Sequence, residues 1–185
     1  MIAPKEFPVL FDRRQIQEMV QSVASNIEAS YPANEELVVV GVLKGAWVFH
    51  ADLVRSLKRS TFSDFIRASS YGDGMESSGK VKIVKDLELS VEGRHVLLIE
   101  DIIDTGRTLQ ALQAHILAKG AKSVKLAALL DKKCKREVSR DADFVGAEIG
   151  DKFVVGYGLD WAEKYRSIPE IHYVPEEYAA SGIQP

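Results

Sequence analysis

The sequence predicts an α/β domain: a mainly parallel, twisted sheet flanked by helices, with a small lobe closing over it. Three observations carry that expectation. Short β-rich runs alternate with helical patterns, and repeated strand–helix–strand units imply parallel strands joined by right-handed crossovers. Leu37–Leu43 (LVVVGVL) is apolar throughout, as suits a strand buried on both faces. From about residue 143 the runs shorten and no long helix separates them. That pattern predicts a hood built from residues 143–185 and about 1–11, over a core spanning about 12–142. No repeat, low-complexity tract or linker divides the 185 residues, so a single domain is expected.

Asp12 is placed to cap a first helix, in which Ile16, Met19, Val20, Val23 and Ile27 recur at helical spacing. The strand at Leu37–Leu43 turns through Lys44-Gly45-Ala46 into a second helical stretch reaching about Leu57. Phe62–Ser69 and Val81–Leu87 read as strands flanking a polar segment, Ser70 to Lys80. His95–Ile99 is the next buried strand. A helix follows from about Thr108 to Lys119, with Leu109, Leu112 and Ile116 on one face and Gly120 as its stop. Ser123–Leu130 is another strand. In the tail, Phe144–Ile149, Phe153–Tyr157 and Ile171–Val174 are short runs assigned to the hood.

Composition narrows the function classes. With 46% hydrophobic residues the chain can build a substantial core. A net charge of −3 and a pI near 5.8 argue against a general nucleic-acid binder, which needs a basic surface. No stretch approaches the roughly 18 apolar residues that span a bilayer, and Met1 to Phe11 has no long apolar core. The single cysteine, Cys134, excludes an internal disulfide. The expectation is a soluble, cytoplasmic protein without nucleic-acid or membrane partners.

The most informative segment is Val96–Leu109 (VLLIEDIIDTGRTL). An apolar strand ends in Glu100 and Asp101; Asp104 then opens a Thr-Gly-basic-Thr turn before a helix. Ligands of open α/β sheets bind at such carboxyl ends. The unpaired N–H groups and dipole of a helix start suit a phosphate, while acids beside an anion make sense if a metal or a hydroxylated sugar lies between them. Adjacent strand residues point to opposite faces, so Glu100 and Asp101 cannot do one job in the same way. An N-cap role would explain Asp104 alone, not the whole cluster. The segment is not a G-x-x-x-x-G-K-[ST] nucleotide loop, and no G-x-G-x-x-G follows any strand.

The same fourteen residues closely resemble the signature of the type I phosphoribosyltransferases, in the form used by the hypoxanthine-guanine enzymes. Leu43-Lys44-Gly45 resembles that family's pyrophosphate loop, in which a non-proline cis peptide precedes the lysine position. Ser70-Tyr71 resembles the head of its mobile catalytic loop, and Asp151–Asp160 with Arg166 its purine-binding end. The resemblance runs from about Leu37 to Arg166. It implies the type I phosphoribosyltransferase fold, Mg²⁺ as cofactor, and 5-phosphoribosyl 1-diphosphate and a 6-oxopurine base as partners. It also implies a homodimer or homotetramer.

Residue by residue, the resemblance implies that Glu100 and Asp101 engage the ribose hydroxyls directly or through Mg²⁺. Asp104 would take the proton of purine N7. Asp104, Thr105, Gly106, Arg107 and Thr108 would cradle the 5′-phosphate, although Arg107 could equally point to solvent. Lys44, Gly45 and Arg166 would hold pyrophosphate, and Asp160 a second Mg²⁺. Phe153 would stack on the purine, backbone groups around Val154 would read its exocyclic position, and Lys132 would donate to the 6-oxo group. Without the resemblance, Lys132, Lys133 and Lys135 read as an ordinary solvated run. Ala46 stands where a second glycine is frequent. The four histidines show no metal-ligand spacing.

The activity so implied is transfer of a phosphoribosyl group to N9 of hypoxanthine or guanine, with release of pyrophosphate. Two alternatives remain from the sequence. One is a regulatory relative that binds RNA or a nucleotide; the other is a transferase preferring xanthine or a pyrimidine.

Overall fold

The computed structural model describes residues 7–32, 34–70 and 81–180. Nine strands and four helices are assigned among them: β1 Val9–Phe11, α1 Arg13–Ser30, β2 Leu37–Leu43, α2 Trp47–Ser56, β3 Thr61–Ser70, β4 Val81–Lys85, β5 His95–Ile103, α3 Arg107–Ala118, β6 Ser123–Asp131, β7 Phe144–Glu148, β8 Phe153–Val155, β9 Ile171–Val174 and α4 Glu176–Ala180. None of the described helices is long and apolar enough to cross a membrane.

Helix α1 starts where the sequence says it should. The Asp12 carboxylate accepts from the Gln15 N–H at 2.8 Å, and the Gln15 side chain accepts from the Asp12 N–H at 2.9 Å. This is a capping box, which satisfies two donors that the first turn leaves unpaired. Ile16, Val20, Val23, Ala24 and Ile27 are buried along one stripe.

The large sheet has the order β4-β3-β2-β5-β6-β7. β3, β2, β5, β6 and β7 are parallel, and β4 adds an antiparallel edge. Both faces are covered, and the alternation along the strands divides the core in two. Leu37, Val39, Leu97, Ile99, Ala127 and Leu129 pack with residues of α1 and α2. Val38, Val40, Leu98, Leu126 and Ala128 pack with Leu109, Leu112 and Ile116 of α3. Full burial of both faces is why these strands read as unbroken apolar runs.

Two expectations need correction. Phe144–Glu148 does not belong to the hood: it is β7, the outer parallel strand of the large sheet, with Ala127 opposite Phe144 and Asp131 opposite Glu148. Its crossover from β6 carries only a 3₁₀ turn at Lys133–Lys135, so no helical pattern announced a sheet strand. Strand β5 also does not stop at Ile99. It pairs with β2 up to Ile99 but with β6 up to Ile103. Glu100 and Asp101 therefore lie inside a strand whose β2 side has come open.

The hood itself is a three-stranded sheet of order β1-β9-β8, antiparallel at both pairings. It joins residues from both ends of the chain, with Phe7, Val155 and Val174 at its centre. Val154, Tyr157, Leu159 and Ile171 reach into the α1–α2 core. Tyr157 donates to Asp52 of α2 at 2.7 Å, and Arg13 of α1 pairs with Glu170 at 2.7 Å.

His50 of α2 is buried. Its ring lies 4.6 Å from that of Phe65, and neither nitrogen has a hydrogen-bond partner among the described residues. Gly41 makes this packing possible, since a Cβ there would fall 2.9 Å from both rings. Burial lowers the His50 pKa from 6.5 to about 4. Between those values the unfolded chain binds a proton that the folded one refuses, so stability is complete above pH 6.5 and falls as pH drops toward 4. In urea titrations over that range, His50→Leu should show a shallower fall in midpoint than the parent chain. Equal slopes would remove His50 as the cause.

Candidate active site

The site lies where the chain reverses direction along the sheet. From β2 the connection passes through α2 to β3; from neighbouring β5 it passes through α3 to β6, on the opposite face. Between the carboxyl ends of two such strands a crevice opens. The residues lining it come from the turn after β2, the free end of β5 and the loop after β8.

At the turn, the Leu43–Lys44 peptide is cis. Gly45 then sits between two close neighbours. A Cβ on Gly45 would lie 1.7 Å from Oδ2 of Asp101, and a Cβ on Gly158 would lie 2.2 Å from the Gly45 carbonyl oxygen. Neither position has room for a side chain. Ala46 is helical, with φ −71° and ψ −5°, so the substitution of a second glycine there needs no left-handed backbone.

Asp101 is buried and Glu100 half-buried. Burial, reinforced by the charge of Asp101, pushes the Glu100 carboxyl well above the usual carboxylate range. Burial also raises Asp101, with its hydrogen bonds and the charge of Arg166 opposing. A buried acid beside a half-buried one, short of positive charge, forms a site that favours a cation or hydroxyl donors. They are hard oxygen donors, but no group of three His, Cys, Asp or Glu residues able to hold a metal occurs among the described residues.

The cations cluster around the loop after β8. Lys44 Nζ lies 2.9 Å from Glu163; Arg166 contacts Asp160 at 2.9 Å and Glu163 at 3.2 Å, and donates to the Gly158 carbonyl at 2.8 Å. The second Asp160 oxygen accepts from the Glu163 N–H at 2.8 Å. One carboxylate, Glu163, thus bridges the two cations expected to hold pyrophosphate. Sequence reasoning missed it, because nothing local in Ala162-Glu163-Lys164 signals a partner 119 residues away.

On the other side, Gly106 caps α3 with φ +82° and no side-chain cap bond is made. Apart from a long contact of the Arg107 N–H with the Thr105 hydroxyl at 3.4 Å, the N–H groups of the first turn are left for a ligand or water. Asp104 is therefore not the helix cap. It is exposed, and among the described residues no hydrogen bond or ion pair engages its carboxylate. Arg107 points toward Glu137, with which it pairs; Thr105 and Thr108 are half-buried beside the loop.

The lysine run separates cleanly. Lys133 pairs with Glu148 and Lys135 with Asp151 at 2.7 Å, both exposed. Lys132 is only 8% exposed, and its ammonium makes no hydrogen bond or ion pair among the described residues. Its N–H donates to the Ile103 carbonyl at 2.9 Å, which sets it beside Asp104. Phe153 is 43% exposed and meets Trp161 edge-on at 6.1 Å. The Val154 side chain is buried in the core, leaving only its backbone to face a ligand. Ser70 ends β3, while Tyr71 and the rest of the expected mobile loop lie outside the described residues. Of the histidines, His95 contacts Ser123 and Glu35, His115 contacts Asp86 and His172 contacts the Phe7 carbonyl. All are tied into the scaffold.

Residues 10–162 match the family model described as phosphoribosyl transferase domain. The chain is 49% identical to the hypoxanthine-guanine phosphoribosyltransferase of Aquifex aeolicus, over 95% of this chain and 98% of that one. It is 50% identical to part of the bifunctional protein TilS/HprT of Listeria innocua, over 92% of this chain and 26% of that protein. A crystal structure of a Bacillus anthracis hypoxanthine-guanine phosphoribosyltransferase superposes with a TM-score of 0.87 at 46% identity, covering 92% of this chain and all of the other.

Gly45→Ala should displace the turn from Asp101 and lower stability by about 1–3 kcal/mol, as overpacking does. Gly150→Ala is the control, because a Cβ there meets nothing within 4 Å. Urea denaturation should separate the two, and equal midpoints would show that the turn yields freely.

Proposed function

The chain belongs to the phosphoribosyl transferase family, with the type I fold, and on that premise we propose that it is a purine salvage enzyme. It transfers the 5-phosphoribosyl group of 5-phosphoribosyl 1-diphosphate to N9 of hypoxanthine, and of guanine, releasing pyrophosphate. The observation that carries this reading is the Glu100–Asp101 pair, with buried Asp101 packed against the Gly45 backbone, followed five residues on by a helix start whose N-cap, Gly106, offers no side-chain cap.

The donor is held at three points. The Thr105–Thr108 backbone and the threonine hydroxyls take the 5′-phosphate at the start of α3. Glu100 and Asp101 face the ribose hydroxyls. Lys44 and Arg166 exchange the Glu163 carboxylate for pyrophosphate, a stronger anion that a guanidinium binds bidentately. Mg²⁺ fits beside Glu100 and Asp101, because both are hard oxygen donors lacking positive charge and Mg²⁺ completes its shell with water and substrate oxygens. Bound there, it would offset charge developing on the leaving pyrophosphate. Each Asp160 oxygen accepts one hydrogen bond and retains a lone pair, enough to join a second Mg²⁺.

The acceptor lies against Phe153, with Lys132 donating to the 6-oxo group and the Val154 backbone reading the neighbouring position. Lys132 supports the 6-oxopurine assignment, since its side chain is mostly buried while its ammonium, engaged by no residue described, is left to donate to an acceptor. Asp104, exposed and unpaired, receives the N7 proton as N9 bonds to C1 of the ribose. The oxocarbenium-like transition state asks for positioning and charge stabilisation more than for covalent chemistry.

Turnover with hypoxanthine, guanine and xanthine, each with 5-phosphoribosyl 1-diphosphate and Mg²⁺, tests the proposal; failure with every purine would sink it. Asp104→Asn should lower kcat by roughly 10²-fold or more, the usual weight of a general base. Lys132→Met should raise KM for the base about tenfold to a hundredfold, as loss of a charged hydrogen bond does, with little change in KM for the donor. An unchanged base KM would remove Lys132 from the purine site.

A further inference from the structure

Behind the phosphate loop lies an ion pair that the proposed reaction does not use. Asp131, the last residue of β6, is fully buried, and one of its carboxylate oxygens has no hydrogen-bond partner among the described residues. The other is bound by the Arg136 guanidinium, whose side chain is 10% exposed. A second guanidinium nitrogen, Nη1, donates to the Asp104 carbonyl at 3.2 Å. The next residue continues the pattern: the Glu137 N–H donates to the Thr105 carbonyl at 3.0 Å. Val138 and Arg136 then close on Gly106, where a Cβ would lie 2.6 Å and 3.1 Å from them.

These contacts matter because of peptide geometry. In a trans peptide the C=O of one residue and the N–H of the next point in opposite directions from one rigid plane. Drawing the Asp104 carbonyl toward Arg136 therefore aims the Thr105 N–H the other way. Drawing the Thr105 carbonyl toward the Glu137 N–H does the same for the Gly106 N–H. The two N–H donors that begin the phosphate loop are fixed because the carbonyls of the same peptide planes accept from donors on its far side. A loop without those anchors could rotate either plane and present a carbonyl oxygen to the anion.

We infer that Arg136 is a positioning residue for the 5′-phosphate subsite, and that Asp131 is its anchor. Asp131 fixes the guanidinium, the guanidinium fixes the Asp104–Thr105 peptide, and the peptide presents its N–H to the phosphate. Planar geometry suits the task, since a guanidinium can address two acceptors from fixed directions where an ammonium cannot. The inference rests on the phosphoribosyl reading of the loop.

The test separates positioning from folding. Removing Arg136 alone would leave a buried, unpaired carboxylate, which is strongly destabilising, whereas replacing both partners by apolar residues of similar size is tolerated far better. The double variant Asp131→Leu/Arg136→Met should retain cooperative unfolding. Its affinity for inosine 5′-monophosphate should fall about tenfold, the loss expected for roughly one misaligned hydrogen bond. Its affinity for pyrophosphate, bound elsewhere, should stay at the parent value. Arg136→Lys keeps a charge for Asp131 and should fall between the two; it decides the matter if the double variant does not fold. Parent-like affinity for the nucleotide in whichever of the two variants folds overturns the inference, as does an equal loss for both ligands. A parent chain that binds neither ligand would instead overturn the phosphoribosyl reading.

Discussion

The site depends on one close packing: Gly45 held between the Asp101 carboxylate and Gly158. Three segments distant in sequence meet there with no side chain from Gly45 or Gly158 to separate them. The turn after β2 brings Lys44, the free end of β5 brings its acids, and the loop after β8 brings Asp160, Glu163 and Arg166. Each segment is braced by a larger body. β2 and β5 are central strands of the large sheet, and the β8 loop is secured through Tyr157 and Asp52. Widening this contact by a single methyl group would separate the acids from the cations.

Charge on the two sides of that packing is deliberately unbalanced. Asp101 is buried and Glu100 half-buried, neither with an ion-pair partner among the described residues, and both carboxyls shift upward. The cations nearby are already committed, Lys44 to Glu163 and Arg166 to Asp160 and Glu163. An acidic floor that wants positive charge and a cationic wall satisfied by two carboxylates match a ligand with both signs. A magnesium-bound pyrophosphate has that character, which is why the phosphoribosyl reading explains the wall and the floor together. Burying acids in this way costs stability, and the apolar layers on both sheet faces offset it.

Legibility in the sequence followed contiguity. The acids and the proposed phosphate loop stand in one fourteen-residue run, and the Lys44 turn follows an unmistakable buried strand, so their types and order sufficed. β7 escaped because its crossover has no helix, and the end of β5 escaped because pairing with one neighbour can continue after the other has left. Lys132 could not be told from Lys133 and Lys135 by composition; only the strand end, which buries one and exposes two, distinguishes them. Glu163 and Arg136 act across 119 and 32 residues, and no local pattern encodes such partners. The conformation of Ala46 likewise needed the backbone itself.

Asp131 and Lys132 show how the two halves of the proposed site are kept in register. They are neighbours at the end of β6, yet one lies behind the proposed phosphate loop and the other is placed beside Asp104. Their separation is a single peptide unit, so it cannot drift. That unit is itself held on both sides, by the Lys132 N–H on the Ile103 carbonyl and the Ile149 N–H on the Asp131 carbonyl, each 2.9 Å long. If the phosphate and the base bind as proposed, the spacing between their subsites is set by sheet hydrogen bonds rather than by the reach of flexible side chains. A nucleotide has several rotatable bonds between its base and its 5′-phosphate, and a ruler made of backbone selects the one spacing that suits the reaction.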